Sequence, residues 1–218
     1  MTKQTYEIET AAGRAHALRQ YKWQDHDVLR AKWHNFELVT DGVYRSNQPS
    51  YERFAQYKEM GIKTVLNLRG DMPKPFYLFE KEACDALNLT LVTVRMSARK
   101  VPRRLVLLDV MQAFDTMEKP FLIHCKSGAD RTGLTSALYL LQYTDSPADV
   151  VRKHLSFRYL HIRKSSTGAL DFVLETYLAR RAQGAISVWE WLDAEYDEVA
   201  LTAAYKVQKA KEAFWQGW

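Results

Sequence analysis

Two hydrophobic periods alternate along the middle of this chain. PSYERFAQYKEMG reads as a helix with Ser50 as its N-cap and Gly61 as its stop, and IKTVLNL follows as a buried strand rich in β-branched residues. KPFYLFEKEACDALN reads as helix, LTLVTV as strand, RRLVLLDVMQAFDTM as helix and PFLIH as strand. Strands alternating with helices of this length imply right-handed crossovers and a largely parallel sheet covered by helices. The fold class predicted is therefore α/β, a mostly parallel central sheet flanked by helices.

The flanks extend this picture in both directions. FELVTDGVYRS gives two short alternating runs around Asp41-Gly42, a dipeptide that favours a tight hairpin turn. Before it, helices are expected around Ala11 to Trp23 and Asp27 to Trp33. After PFLIH, TGLTSALYLLQY is apolar enough to be a central helix. SPADVVRKHL, with Ser146 as cap and Asp149 three residues on, STGALDFVLETYLARR, and Val188 to about Trp215 complete a helical C-terminal part. No repeat, low-complexity tract or Pro/Gly linker marks a second domain. The expected organisation is an N-terminal extension (1–34), a catalytic domain (35–165) and a helical extension packed on the same domain (166–218).

Composition narrows the function classes. With 218 residues, 47% hydrophobic and 26% charged, the chain is long enough for one substantial core. A net charge of +5 and a pI near 9.1 suit an anionic partner. No RNP-like motif, zinc-finger spacing or long basic run points to nucleic acid. No apolar stretch is long enough to span a bilayer, and MTKQTYEIET lacks the core of a secretory signal, so a cytoplasmic location is expected. Of the two cysteines, Cys84 reads as a small core residue of an amphipathic helix; neither has a metal-ligand companion, and no cofactor is implied.

Cys125 stands apart, because it ends the strand PFLIH just before a helix begins, in FLIHCKSGADRTG. Ligands of an open parallel sheet bind beyond the carboxyl ends of its strands. Five residues, among them Gly128, separate Cys125 from Arg131, and can wrap into a ring whose backbone N–H groups point inward. The following helix adds the positive end of its dipole. A thiol there, beside Lys126 and Arg131, is expected to fall from about 8.5 into roughly the 3.5–7.5 range, and the Arg131 fork can hold two phosphoryl oxygens while sulfur attacks phosphorus.

HCKSGADRTG resembles the C-x5-R-[ST] loop of the protein-tyrosine-phosphatase superfamily, and DGVYRSNQPS…FAQYKEMGIKTVLNLR is similar to the entry region of its compact dual-specificity and atypical branch, including bacterial members. The similarity runs from about Asn35 to Leu155. The resemblance implies a metal-independent phosphatase in which Cys125 becomes a phosphocysteine, Arg131 holds the phosphoryl group and Thr132 assists departure of the sulfur. It also implies a structural His124, and a cradle of backbone amides spanning Lys126, Ser127, Gly128, Ala129, Asp130 and Arg131.

One departure from the family pattern bears on mechanism. The loop that ordinarily carries a catalytic aspartate should be RMSARKVPRR, and no Asp or Glu lies between Asp85 and Asp109. Asp130 is the leading substitute, its DRT context resembling the loops of myotubularins and Sac-type phosphoinositide phosphatases; the competing role is to pair with a basic group and shape the ring. Asp71, in NLRGD, is the weaker candidate. Cations crowd the acid-free loop instead: Arg95, Arg99, Lys100, Arg103 and Arg104, with Arg99 and Lys100 as substrate-binding candidates. Lys126 resembles the HCKAG opening of the phosphatase-and-tensin lipid phosphatases. The substrate classes implied are phosphotyrosine or phosphoprotein, phosphoinositide and inositol phosphate, with a peripheral membrane surface as a further partner. Arg158, His161, Arg163 and Lys164 form a second basic stretch, placed at a pocket rim or a membrane surface, and Trp189 and Trp191 read as helix packing. No oligomeric state is assigned. A phosphate-binding adaptor with little catalysis is the alternative; sulfur transfer or arsenate reduction is disfavoured by Arg131-Thr132-Gly133.

Overall fold

The computed structural model describes residues 6, 8–30 and 32–215. Along the chain come helices α1 (Ala11–Trp23) and α2 (Asp27–Arg30), strands β1 (Glu37–Thr40) and β2 (Val43–Ser46), helix α3 (Tyr51–Glu59), strand β3 (Thr64–Asn67), helix α4 (Pro75–Ala86) and strand β4 (Thr90–Thr93). Helix α5 (Arg104–Thr116), strand β5 (Phe121–His124), and helices α6 (Asp130–Tyr143), α7 (Ala148–Lys153), α8 (Ala169–Arg181), α9 (Val188–Ala194) and α10 (Glu198–Trp215) follow. The alternation read from the hydrophobic periods is the one observed.

Two compact units divide these elements: residues 1–95 with 117–128, and residues 96–116 with 129–218. The first holds the sheet, ordered β1-β2-β5-β3-β4. Strands β1 and β2 form the antiparallel hairpin, turning at Gly42 with φ 70°, and β2, β5, β3 and β4 run parallel. Its core joins Phe54, Ile62, Val65, Ala83, Cys84, Leu89 and Leu122, so α3 and α4 bury one face each against the strands. Ser50 caps α3 by accepting from Arg53 N, and Gly61 at φ 90° turns the chain into β3. The α/β class, with a mostly parallel sheet and accompanying helices, is the predicted one.

The second unit is helical. Every residue of α6 from Thr132 to Leu141 is buried, and a side chain at Gly133 would stand 2.4 Å from the His154 carbonyl oxygen, so only glycine lets α6 approach the end of α7. Trp191 is buried between Tyr177 and Tyr196, as its packing role predicts. Two expectations are corrected. Helix α2 ends at Arg30 rather than near Trp33. Pro147, not Ser146, is the N-cap of α7, because the Thr144 hydroxyl donates to Ser146 Oγ and the fixed φ of −70° at Pro147 already sets the helix entry.

Candidate active site

The register of the sheet brings three strand ends to one edge. Ser46 and Asn67 both pair with His124, so the residues that follow, Asn47, Leu68 and Cys125, leave the sheet side by side. Cys125 is 1% exposed.

Beyond Cys125, three successive carbonyls are held from outside. Gln48 N donates to Lys126 O at 3.3 Å, the Asn35 amide to Ser127 O at 2.8 Å and Arg45 Nη2 to Gly128 O at 2.6 Å. In a trans peptide the N–H points opposite to the preceding C=O. Fixing these three oxygens therefore turns the N–H groups of Ser127, Gly128 and Ala129 to the other side of the loop. Gly128 sits at φ 70°, and a Cβ there would lie 2.7 Å from Ser46 and Asn47 backbone atoms, so the wrap of the loop requires glycine.

Polar residues behind the loop carry this brace. Arg45, Ser46, Asn47 and Gln48 are all 0% exposed, and Arg53 of α3 ties Asn47 Oδ1 and Gln48 O at 2.7 and 2.6 Å. His124 Nε2 lies 2.6 Å from Glu80 Oε1, and the Gln48 amide donates to Glu80 Oε2 at 2.9 Å. The His124 ring thus stands between a buried carboxylate of α4 and the peptide of Cys125, whose oxygen is 3.4 Å from Nδ1. The other cysteine, Cys84, lies in the apolar core, where burial first and then Glu80 and Asp85 push its thiol far up. It is chemically inert there.

A cation cluster adjoins Lys126. Arg69 follows β3 in a turn fixed by its own N–H donating to Asn67 Oδ1 at 2.7 Å. Its guanidinium lies 3.6 Å over the Phe76 ring and grips Asp25 with two bonds, Nη1 to Oδ2 at 3.0 Å and Nη2 to Oδ1 at 2.5 Å. Arg30 Nη2 reaches Asp25 Oδ2 at 2.9 Å, and Lys126 Nζ stands 3.6 Å from Oδ1. Burial works to raise the Asp25 carboxyl, but Arg69, Arg30 and Lys126 more than offset it and hold it below the ordinary carboxylate range. Burial chiefly lowers the Lys126 ammonium, against the pull of Asp25.

The second half of the loop is held differently. His161 Nδ1 donates to Asp130 Oδ1 at 2.7 Å and Nε2 to Asp171 Oδ2 at 2.6 Å, with the imidazole side chain 0% exposed. Burial lowers the His161 pKa, and the two carboxylates overcome that and raise it to about 9. The ring is then a cation at neutral pH donating both protons. His161 is therefore interior, not at a rim as its basic neighbourhood suggested. Arg131 follows Asp130 in the first turn of α6, and Thr132 Oγ1 is buried with no hydrogen-bond partner among the described residues.

The remaining candidates take no part in the contacts just described. Arg99, Lys100 and Arg103 are exposed on the segment before α5. Arg104 is engaged, with Nε donating to Leu192 O at 2.5 Å and Nη2 paired to Asp193 at 2.7 Å. Asp71 is exposed beyond Gly70. Sequence reasoning missed Asp25, Asn35, Arg45, Gln48 and Glu80. Only Glu80 left a signal, a carboxylate on the face of α4 that also carries Phe76, Ala83 and Cys84.

Cys125 thus follows the end of a strand, a positive-φ glycine turns the loop after it, and Arg131 lies in the first turn of the next helix. Residues 38–170 match the model of the PTP-SAK family, described as a Swiss Army Knife protein, DSP-PTPase phosphatase domain, and the chain belongs to that family. Among curated proteins it is 33% identical over 112 residues to inositol diphosphatase DSP3 of Arabidopsis thaliana, covering 49% of this chain and 53% of that one. It is 29% identical over 104 residues to inositol diphosphatase DSP1 of Oryza sativa subsp. japonica, covering 45% and 46%. The chain thus spans about half the length of the curated relatives it matches. In fold it is similar to the core catalytic domain of the PP-IP phosphatase SIW14 from S. cerevisiae, at TM-score 0.52 and 21% identity over 68% of this chain and 91% of that one. A similar likeness joins it to P. aeruginosa TpbA in complex with pTyr, at TM-score 0.51 and 19% identity over 66% and 90%. Among the described residues no helix is long and apolar enough to cross a membrane.

Proposed function

We propose that this chain hydrolyses phosphoanhydride or phosphoester groups of a multiply phosphorylated small molecule, an inositol diphosphate being the best fit, through a cysteinyl-phosphate intermediate. Residues 35–165 act as the catalytic domain, with 1–34 and 166–218 as extensions. Three successive outward-held carbonyls carry the reading, because they aim the intervening amides where a dianion's oxygens bind.

In this mechanism Cys125 Sγ attacks phosphorus, the bond to the leaving oxygen breaks, and that oxygen keeps the electron pair. Arg131 and the amides of Lys126, Ser127, Gly128, Ala129 and Asp130 hold the three peripheral oxygens. Water then attacks the thiophosphate, the S–P bond breaks with sulfur keeping its electrons as thiolate, and the proton of the water leaves with the phosphate. The buried Thr132 hydroxyl donates to the departing sulfur.

The acid-free loop bears on the substrate. An alkoxide or phenolate leaving group needs a proton, and general acid catalysis is worth about 10²–10⁴-fold. A leaving phosphate needs none, since its second pKa is about 6. Asp130, accepting from a protonated His161, acts as a positioning residue rather than a proton donor. The names of the curated relatives point the same way. Phosphotyrosine is the second substrate class, and Arg99 and Lys100, exposed on the acid-free segment, act as auxiliary contacts for a polyanion.

The test compares a diphosphoinositol polyphosphate, an aryl phosphate and an alkyl phosphate at neutral pH. Wild type should cleave the first two and act on the alkyl ester at least about 100-fold more slowly, while Cys125→Ser binds all three and turns over none. Turnover by Cys125→Ser at the wild-type rate overturns the nucleophile. Binding without a stoichiometric burst from the aryl phosphate favours the adaptor reading.

A further inference from the structure

We propose that Arg30, Arg69 and Lys126 form a subsite for a second anionic phosphoryl group of the substrate, and that Asp25 is the built-in carboxylate with which that group competes. The inference rests on the phosphatase reading of the adjacent loop. It concerns residues the family match does not reach, since Asp25 and Arg30 both precede residue 38.

Three cations face Asp25, and Asp27 pairs with Arg30 as well, so the cluster carries one positive charge more than its carboxylates supply, beside the loop that follows Cys125. Buried cations ordinarily come with matching anions, and an unmatched charge is costly unless a ligand supplies the balance. The arrangement is graded from dry to wet. The guanidinium side chains of Arg30 and Arg69 are 3% and 6% exposed, Asp25 15% and Lys126 37%. Asp25 is thus intermediate in exposure between the two buried guanidinium groups and the more exposed Lys126 ammonium, in a preformed cation cluster.

The pocket is built rather than accidental. Phe76 stacks under Arg69, Gln48 Oε1 accepts from its Nη1 at 2.8 Å, and the Asx turn at Asn67 fixes its backbone. Arg30 is held by the Asp25 carbonyl and by Asp27 Oδ1 at 3.4 Å, with the Tyr21 ring 5.5 Å away. Asp25 meets Arg69 through the planar two-oxygen fork that a phosphoryl group also presents. Because β3 and β5 are paired in register at Asn67 and His124, Arg69 and Lys126 leave the same sheet edge two residues further on. A substrate with a single phosphoryl group has nothing to place there; one with a neighbouring phosphate does.

The test uses Asp25→Asn, Lys126→Met and, as an equal charge change outside the cluster, Glu82→Gln, each checked for folding by circular dichroism. Asp25→Asn should lower KM for a diphosphoinositol polyphosphate about tenfold, the smaller end of what a charge-assisted hydrogen bond contributes, and leave kcat and KM for an aryl phosphate within twofold. Lys126→Met should raise KM for the polyphosphate, and Glu82→Gln should change neither. An unchanged polyphosphate KM in Asp25→Asn overturns the proposal. So does an equal loss of kcat on both substrates, which marks a structural strut, or a loss confined to poor leaving groups, which marks a proton donor. Titration of Cys125→Ser with inositol hexakisphosphate, with and without Asp25→Asn, separates the two readings. Tighter binding without aspartate keeps the subsite even if wild type turns nothing over.

Discussion

Lys126, Ser127 and Gly128 are held through their backbone oxygens, whereas Asp130 is held through its side chain. The first set is gripped by neutral or permanently charged donors, Gln48 N, Asn35 and Arg45, none of which titrates near neutrality. The second hangs on His161, a group that does titrate in an accessible range. Amide orientation in the first half should thus be indifferent to pH, while the entry to α6 depends on one buried proton.

The largest expected effect lies in the first half. Gly128→Ala forces a Cβ into Ser46 and Asn47 backbone at 2.7 Å and an L-residue into left-handed geometry. Left-handed backbone costs roughly 1–2 kcal/mol and overpacking about 1–3 more. Aryl phosphate turnover should fall by orders of magnitude, with a lower unfolding midpoint in urea; near-wild-type activity would show that the wrap of the loop does not depend on glycine.

Asp171→Asn breaks the other half and should cost about 3–5 kcal/mol in urea unfolding at pH 6. Its sign follows from linkage. The folded pKa of His161 is raised above the ordinary 6.5, so its contribution is fully present below pH 6.5 and is lost as pH rises through about 9. Removing Asp171 should move that loss to lower pH, read as the His161 ring-proton titration by NMR. A midpoint that stays near 9 would mean the ring owes its proton to Asp130 alone.

The smallest effect sharpens the role of Asp130. Acting by position, Asp130→Asn should reduce kcat by less than about 100-fold and by the same factor for aryl phosphates of good and poor leaving ability. A loss that grows as the leaving group worsens would make Asp130 the acid.

Local spacing revealed much of this. The helix and strand periods, the Asp41-Gly42 hairpin, and Cys125, Gly128 and Arg131 are all short-range patterns whose physics is contained within a few residues. Arg45, Ser46, Asn47 and Gln48, by contrast, are polar in sequence, yet all four are 0% exposed. Asp25 sits in a segment without clear period, and its meaning depends on Arg69 and Lys126, distant in the chain. His161, embedded among Arg158, Arg163 and Lys164, looks like one more surface cation until Asp130 and Asp171 close on it. Charge and polarity do not encode burial when the partner is remote.

The bonds from Asn35 to Ser127 and from Arg45 to Gly128 span 92 and 83 residues of chain. Contacts so far apart in sequence form late, after the entropy of closing the long loop between them has been overcome. During synthesis Asn35, Arg45 and Gln48 emerge first and wait for the cysteine strand to arrive. Under the proposed mechanism a nascent chain therefore carries Cys125 beside an unbraced loop, and the brace forms only when the two ends of that long loop meet.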